Sequence, residues 1–205
     1  MDTKIIAFAG KLGAGKSSCA NLIHALAFLN LIVDKEGKSL TPRAWVNENG
    51  KLMVGIDPET DQEIDLSSRQ PEAVQWLSEA VWPFIRPFSC AGPLKAFCVY
   101  VLNLNPDHVY GSQEDKKQLT HLKWEDMPTK VKGKNGFMTV REVIEYFGTE
   151  IVRKMYQPAW AKALINNINR WNPIIATIDD IRFLTEVEEL ISFLKRIEWL
   201  QPNES

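Results

Sequence analysis

Ile5-Ile6-Ala7-Phe8-Ala9, running directly into Gly10-Lys11-Leu12-Gly13-Ala14-Gly15-Lys16-Ser17, decides how this chain is read. The apolar run has the length and composition of a buried strand. The next eight residues fit the phosphate-binding pattern GxxxxGK(S/T), whose glycines let backbone N–H groups close on phosphate oxygens. Such a loop needs a helix behind it, because the helix dipole adds positive potential at the anion. The stretch from Ser18 to Leu29 supplies one, without a proline and with Leu22, Ile23, Leu26 and Leu29 as its expected apolar face. Gly10, Leu12, Gly13, Ala14, Gly15, Lys16, Ser17 and Ser18 are therefore the candidate triphosphate-binding residues. Lys16 would neutralise the outer phosphates, and the Ser17 hydroxyl would ligate magnesium.

The remaining composition sets bounds. With 205 residues, 45% hydrophobic and 24% charged, the chain reads as one globular domain with a substantial core. A formal net charge of -2 argues against a protein that coats nucleic acid, while leaving room for a small anionic ligand. Cys19, Cys90 and Cys98 form no CxxC pair, which fits a reducing, cytoplasmic setting. His24, His108 and His121 form no zinc pattern. Nothing at the amino terminus reads as a signal peptide, and the apolar runs 25–33 and 97–104 are too short to span a bilayer, so no membrane partner is expected.

Along the chain, residues 34–68 turn polar and read as an insertion. Ala44-Trp45-Val46 and residues 51–56 flank Asn49-Gly50, a hairpin signal, and the expectation is a small exposed elaboration. Residues 71–81 read as a helix, 85–90 as a strand, and 92–104 as a helix stopped by Asn105-Pro106. The lysine-containing stretch 111–136 is turn-rich and is a candidate lid. Thr139 with Glu142 forms a capping-box pattern for a helix broken at Gly148. A helix over 158–171, a strand over 173–178, a helix over 184–195 and a short strand over 196–200 complete the chain. Strands alternating with helices imply an α/β fold: three layers around a mainly parallel central sheet, with the small hairpin insertion.

In such sheets ligands gather beyond the carboxyl ends of the strands, where Asp179-Asp180 follows the apolar run Ile174–Ile178. One of the two, Asp179 or Asp180, would hold the magnesium ion together with Ser17.

Asp180-Ile181-Arg182-Phe183-Leu184-Thr185-Glu186 resembles the DxRFxxE signature of phage-type deoxynucleoside monophosphate kinases. Arg141 to Glu150, ending in Gly148-Thr149-Glu150, is similar to that family's arginine helix, with Arg153 and Trp160 following, and Pro93-Leu94-Lys95 resembles its Pro-Leu-Lys element. The resemblance covers residues 1–33 and about 84–193. It implies transfer of the terminal phosphoryl group of ATP to a deoxynucleoside monophosphate, a nucleoside monophosphate kinase-like fold, magnesium and a homodimer. Carried over by position, Arg141, Gly148, Thr149, Trp160, Asp180, Arg182 and Glu186 would form the monophosphate site, with Lys95 and Arg86 as weaker candidates. Trp160 would stack on the base and Glu186 would read a base or sugar edge.

The chemistry agrees with these residue types. A phosphate monoester, with a second pKa of about 6, is already largely deprotonated at neutral pH and needs no strong base. Positioning and charge stabilisation carry the reaction, so Lys16 and Arg182 are assigned there, with Arg153 as a further catalytic candidate. Two rival readings remain open from sequence. One is a P-loop kinase with a hydroxyl acceptor, such as a dephospho-coenzyme A kinase-like enzyme or a nucleoside kinase, with one aspartate as base. The other is a nucleotide-hydrolysing switch protein.

Overall fold

Strand β1 (Lys4–Ala9) pairs in parallel with β8 (Ile175–Ile181), and β8 pairs in parallel with β5 (Ile85–Phe88), giving a three-stranded sheet in the order β1-β8-β5. The computed structural model describes residues 3–11, 13–31, 37, 43–55, 61–66 and 69–200, with side chains as far as residue 194. The expected mainly parallel sheet in an α/β chain is present. Pro87 lies on edge strand β5, where a missing N–H costs little.

The chain folds as two compact units, each discontinuous in sequence: residues 1–89 with 165–183, and residues 90–164 with 184–205. In the first, helix α1 (Lys16–Asn30) packs on β8 and on the hairpin of β2 (Arg43–Val46) and β3 (Leu52–Gly55), to which the short β4 (Gln62–Glu63) is added. Ala20, His24, Ala25, Ala27 and Phe28 are buried, whereas Leu22 and Leu26 are half exposed. This corrects the expected face of α1: small residues let the helix approach closely, and the bulkier leucines stay outside. The hairpin is corrected too. Leu52 and Val54 are buried with Ala25, Phe28 and Leu66 in one cluster, so the hairpin is part of the core rather than an exposed elaboration. Residues 34–36, 38–42, 56–60 and 67–68 of the proposed insertion lie outside the described residues. Helix α2 (Pro71–Trp76) continues as a π-helical turn, Leu77–Val81, and buries Leu77 and Val81.

The second unit contains α3 (Gly92–Tyr100), α4 (Pro106–Tyr110), the antiparallel pair β6 (Leu119–Lys123) and β7 (Phe137–Thr139), and α5 (Val140–Glu145). Asn105-Pro106 starts a helix instead of stopping one: the Asn105 side chain accepts from the Asp107 N–H at 2.8 Å, and Pro106 takes the first turn, where no N–H is needed. The Thr139–Glu142 capping box opens α5 as its sequence predicts. Gly148 does not break it; the helix runs on through a π-helical segment, Tyr146–Arg153. Trp124 and Met127, in the middle of the 111–136 stretch, are buried with Met138, Val143 and Tyr146.

Helix α6 (Ala159–Trp171) precedes β8, and α7 (Leu184–Leu200) follows it. The expected strand over 196–200 is helix: no glycine or proline intervenes before Pro202, so the turns simply propagate. Among the described residues no helix is long and apolar enough to cross a membrane.

Candidate functional site

The loop between β1 and α1 has the backbone its glycines predict. Gly13 and Gly15 adopt φ of 78° and 74°, a left-handed conformation that other residues rarely take, and Gly15 is the N-cap of α1. The first turn of α1 carries no acidic side chain, so its unpaired N–H groups and dipole remain available to an anion. The Lys16 ammonium folds back to donate to the Gly10 and Lys11 carbonyls at 2.9 and 2.8 Å, holding the loop closed on itself. Gly10, Ala14 and Ser18 are described in the same loop and first turn, while Leu12 lies outside the described residues.

The Ser17 hydroxyl donates to Asp179 Oδ2 at 2.5 Å across 162 residues of sequence. This contact exists because β8 lies beside β1 and both end at the same edge. Ala7 pairs with Ile178 but Ala9 pairs with Ile181, so β8 holds one extra residue there. That is a β-bulge at Asp179-Asp180, of the kind that re-aims side chains at the end of a sheet. The two carboxylates part: Asp179 receives Ser17, whereas Asp180 Oδ2 receives the Ser89 hydroxyl at 2.5 Å from the end of β5. The choice left open by sequence thus falls on Asp179 as the partner of the loop hydroxyl. Arg182 is exposed immediately after the strand.

Behind the loop, His24 Nε2 lies 2.7 Å from Thr177 Oγ1, and Nδ1 lies 3.4 Å from Asn21 Oδ1. Burial lowers the His24 pKa from 6.5 to about 4, so the ring is neutral near pH 7. Asn21 Nδ2 donates to the Gly50 carbonyl at 2.8 Å, which ties the hairpin turn to the loop's helix. Sequence reasoning missed this buried chain of polar groups. Its one visible signal is a histidine and an asparagine at i and i+3 on an otherwise apolar helix.

Arg86 is placed elsewhere. Its partner Ala176 is also the partner of Ile5, which sets Arg86 toward the amino ends of the strands and away from the loop. Its guanidinium carbon lies 3.8 Å from the ring centroid of Trp82 and 3.4 Å from that of Trp171. Burial lowers its pKa to about 10, and Nη1 has no hydrogen-bond partner among the described residues. Arg86, a weaker candidate for the monophosphate site, is thus stacked between two indole rings by cation–π contacts.

In the second unit the candidates divide. Trp160 is 8% exposed, belongs to the core, and donates its indole N–H to the Gly148 carbonyl at 3.1 Å. The ring expected to stack on a base is thus buried in the core rather than presented at the surface. A Cβ on Gly148 would lie 2.6 Å from Leu94 Cδ2, so that glycine serves close packing of the Pro-Leu-Lys helix. Glu186 is 3% exposed and meets Arg153 at 2.6 Å, so its carboxylate neutralises an arginine rather than facing outward to read a base. Thr149 is exposed on the π-helical segment, a helix form frequent at functional sites. Arg141 is exposed, donates to Gln113 Oε1 and pairs with Glu145 at 3.6 Å. The Lys95 ammonium lies 5.6 Å from the Tyr110 ring centroid.

Among the described residues no three His, Cys, Asp or Glu side chains cluster to hold a metal ion. The donor set at the loop is a hydroxyl and a carboxylate, which suits magnesium only where phosphate oxygens and water complete the shell. No protein-family model, curated protein or solved structure matches the chain.

Proposed function

We propose that this protein is a deoxynucleoside monophosphate kinase of P-loop type, moving the γ-phosphoryl group of ATP to a dNMP to give dNDP and ADP. The observation that carries the reading is the Ser17–Asp179 contact beside a glycine loop bearing Lys16. A GxxxxGKS match alone is a spacing; joined to a strand-end carboxylate it supports a reading as a site for magnesium triphosphate. Ser17 and Asp179 would hold the magnesium ion, which neutralises charge on the transferring phosphoryl group when bound.

Lys16 leaves the Gly10 and Lys11 carbonyls for the outer phosphates, and the α1 N-terminus receives the rest. Arg182, just past the bulge, adds positive charge for the transition state. In the second unit Arg141 and Thr149, both exposed, are the residues proposed to meet the acceptor. The resemblance in the Arg141–Glu150 and Asp180–Glu186 stretches is what selects a phosphate-bearing acceptor.

The deciding assay measures ADP formation from ATP and magnesium with each deoxy- and ribonucleoside monophosphate, with hydroxyl acceptors and with none. Stimulation by a deoxynucleoside monophosphate, with the diphosphate recovered, supports the proposal. Stimulation only by a hydroxyl acceptor, or hydrolysis indifferent to any acceptor, overturns it.

A further inference from the structure

The second unit contains a cavity of about 220 Å³ lined by Asn103, His108, Leu119, Thr120, His121 and Val140 among others. Its size is below the ~300–1,000 Å³ typical of pockets that enclose a whole drug-sized ligand, and suits one ring system. The walls come from the link between α3 and α4, from α4 itself, from β6 and from the first residue of α5. Asn103 sits in the left-handed region, φ 52°, which asparagine tolerates better than most residues but which still marks a constrained position. Thr120 Oγ1 is engaged, donating to the Met138 carbonyl at 2.9 Å. The Asn103 amide and the His121 ring make no hydrogen bond among the described residues, so donor and acceptor capacity is left in the cavity wall.

Two cations adjoin this wall in sequence and in charge. Arg141 follows Val140, and Lys116 stands on the turn that leads to Leu119. The Val140 N–H donates to the Gln118 carbonyl at 3.0 Å, which ties the start of α5 to the turn bearing Lys116, and the Lys116 ammonium is held below its usual pKa by burial and then by the Arg141 charge. Lys116 donates to the Gly111 and Ser112 carbonyls, and Arg141 donates to the neutral Gln113 amide. The carboxylate nearby, Asp115, is fixed by the Ser112 N–H and hydroxyl, both at 2.7 Å. It feels His108 from the cavity side as well as Lys116. The turn therefore brings two cations together, Lys116 resting on uncharged carbonyls and Arg141 on the Gln113 amide with the Glu145 carboxylate 3.6 Å away.

We propose that this cavity takes the base of the acceptor nucleoside monophosphate, with Lys116 and Arg141 taking its phosphate. The inference rests on the acceptor reading above and moves base recognition from Trp160 to Asn103, His108 and His121. The Asn103 amide offers a donor and an acceptor to a base edge, and the Gln113 amide is the neutral group that an entering phosphate displaces from Arg141.

The test is equilibrium binding of deoxynucleoside monophosphates and of inorganic phosphate to the full chain and to Asn103→Gly, His121→Ala and Lys116→Met. Glycine accepts the φ of Asn103 without strain, and a thermal melt confirms that each variant folds. Losing one hydrogen bond to the base should weaken the monophosphate by about tenfold. Asn103→Gly and His121→Ala should do so while leaving inorganic phosphate unchanged, and Lys116→Met should weaken both. Wild-type affinity for the monophosphate in both cavity variants overturns this inference and leaves the kinase reading standing. Absence of monophosphate binding to the wild-type chain overturns both.

Discussion

The loop end of the first unit and the 141–150 helix of the second carry sequence motifs of opposite physical character. At the loop, the motif residues meet through polar contacts at the surface: Lys16 on two carbonyls, Ser17 on Asp179, Ser89 on Asp180. On the arginine helix and its neighbours, Gly148, Trp160, Arg153 and Glu186 are satisfied mostly by one another, in or beside a hydrophobic core. The first set can exchange its internal partners for a ligand at little cost. The second would have to unpack. A motif thus leaves exchangeable polar groups in one region and packed, mutually satisfied groups in the other.

The largest expected effect breaks the comparison at the loop. Lys16→Ala removes a charge-stabilising donor and should lower turnover by about 10²–10³-fold. Among the described residues its hydrogen bonds are to loop carbonyls, so the unfolding midpoint should stay where it is. A variant that keeps full activity at limiting ATP would remove Lys16 from its role.

Glu186→Ala should do the reverse. It takes one partner from a largely buried ion pair and should cost about 3 kcal/mol of stability, measured by urea unfolding. The double change Arg153→Met with Glu186→Met should recover most of that loss, because a matched apolar pair replaces the charges. If the double variant is stable yet turns over as slowly as Lys16→Ala, Arg153 is catalytic after all and the packing interpretation of this pair fails.

These contrasts also explain what was legible in the sequence. The loop, the parallel strands, the capping box and the hairpin turn are local patterns, and local geometry follows from them. What escaped was decided by neighbours distant in sequence. The hairpin became core because Leu52 and Val54 found the small-residue side of α1. Asp179 and Asp180 parted because β8 gained a residue against β1, which no single-strand pattern shows. Trp160 and Glu186 turned inward because Gly148 and Arg153 were there to satisfy them.

Acid should separate the two regions next. Folding buries His24 neutral, with its pKa lowered from 6.5 to about 4 by burial. The unfolded chain therefore takes up a proton below pH 6.5 that the folded chain refuses until about pH 4. Its contribution to stability is whole above pH 6.5 and is lost as pH falls toward 4, up to about 3 kcal/mol. The second unit has no buried histidine among its described residues, since His108 and His121 are not buried. Hydrogen exchange at pH 7 and pH 4.5 should then show α1 and β8 losing protection before α5. His24→Gln should flatten that dependence, and an equal loss in both units would locate the acid sensitivity elsewhere.

Gly148→Ala sharpens the comparison at the smallest scale. The added methyl meets a leucine side-chain end, not backbone, so Leu94 can shift, though only within a packed core. Overpacking of this kind costs about 1–3 kcal/mol. The neighbouring Thr149 is exposed, so Thr149→Ala should leave stability within about 0.5 kcal/mol. Steady-state kinetics on the two variants then separate adjacent residues of one motif. Gly148→Ala should lower the urea midpoint and leave the acceptor KM alone, while Thr149→Ala should raise that KM and leave the midpoint alone. If both changes move only KM, Gly148 is spared a side chain for the acceptor's sake, and the line between chemistry and packing runs elsewhere on this helix.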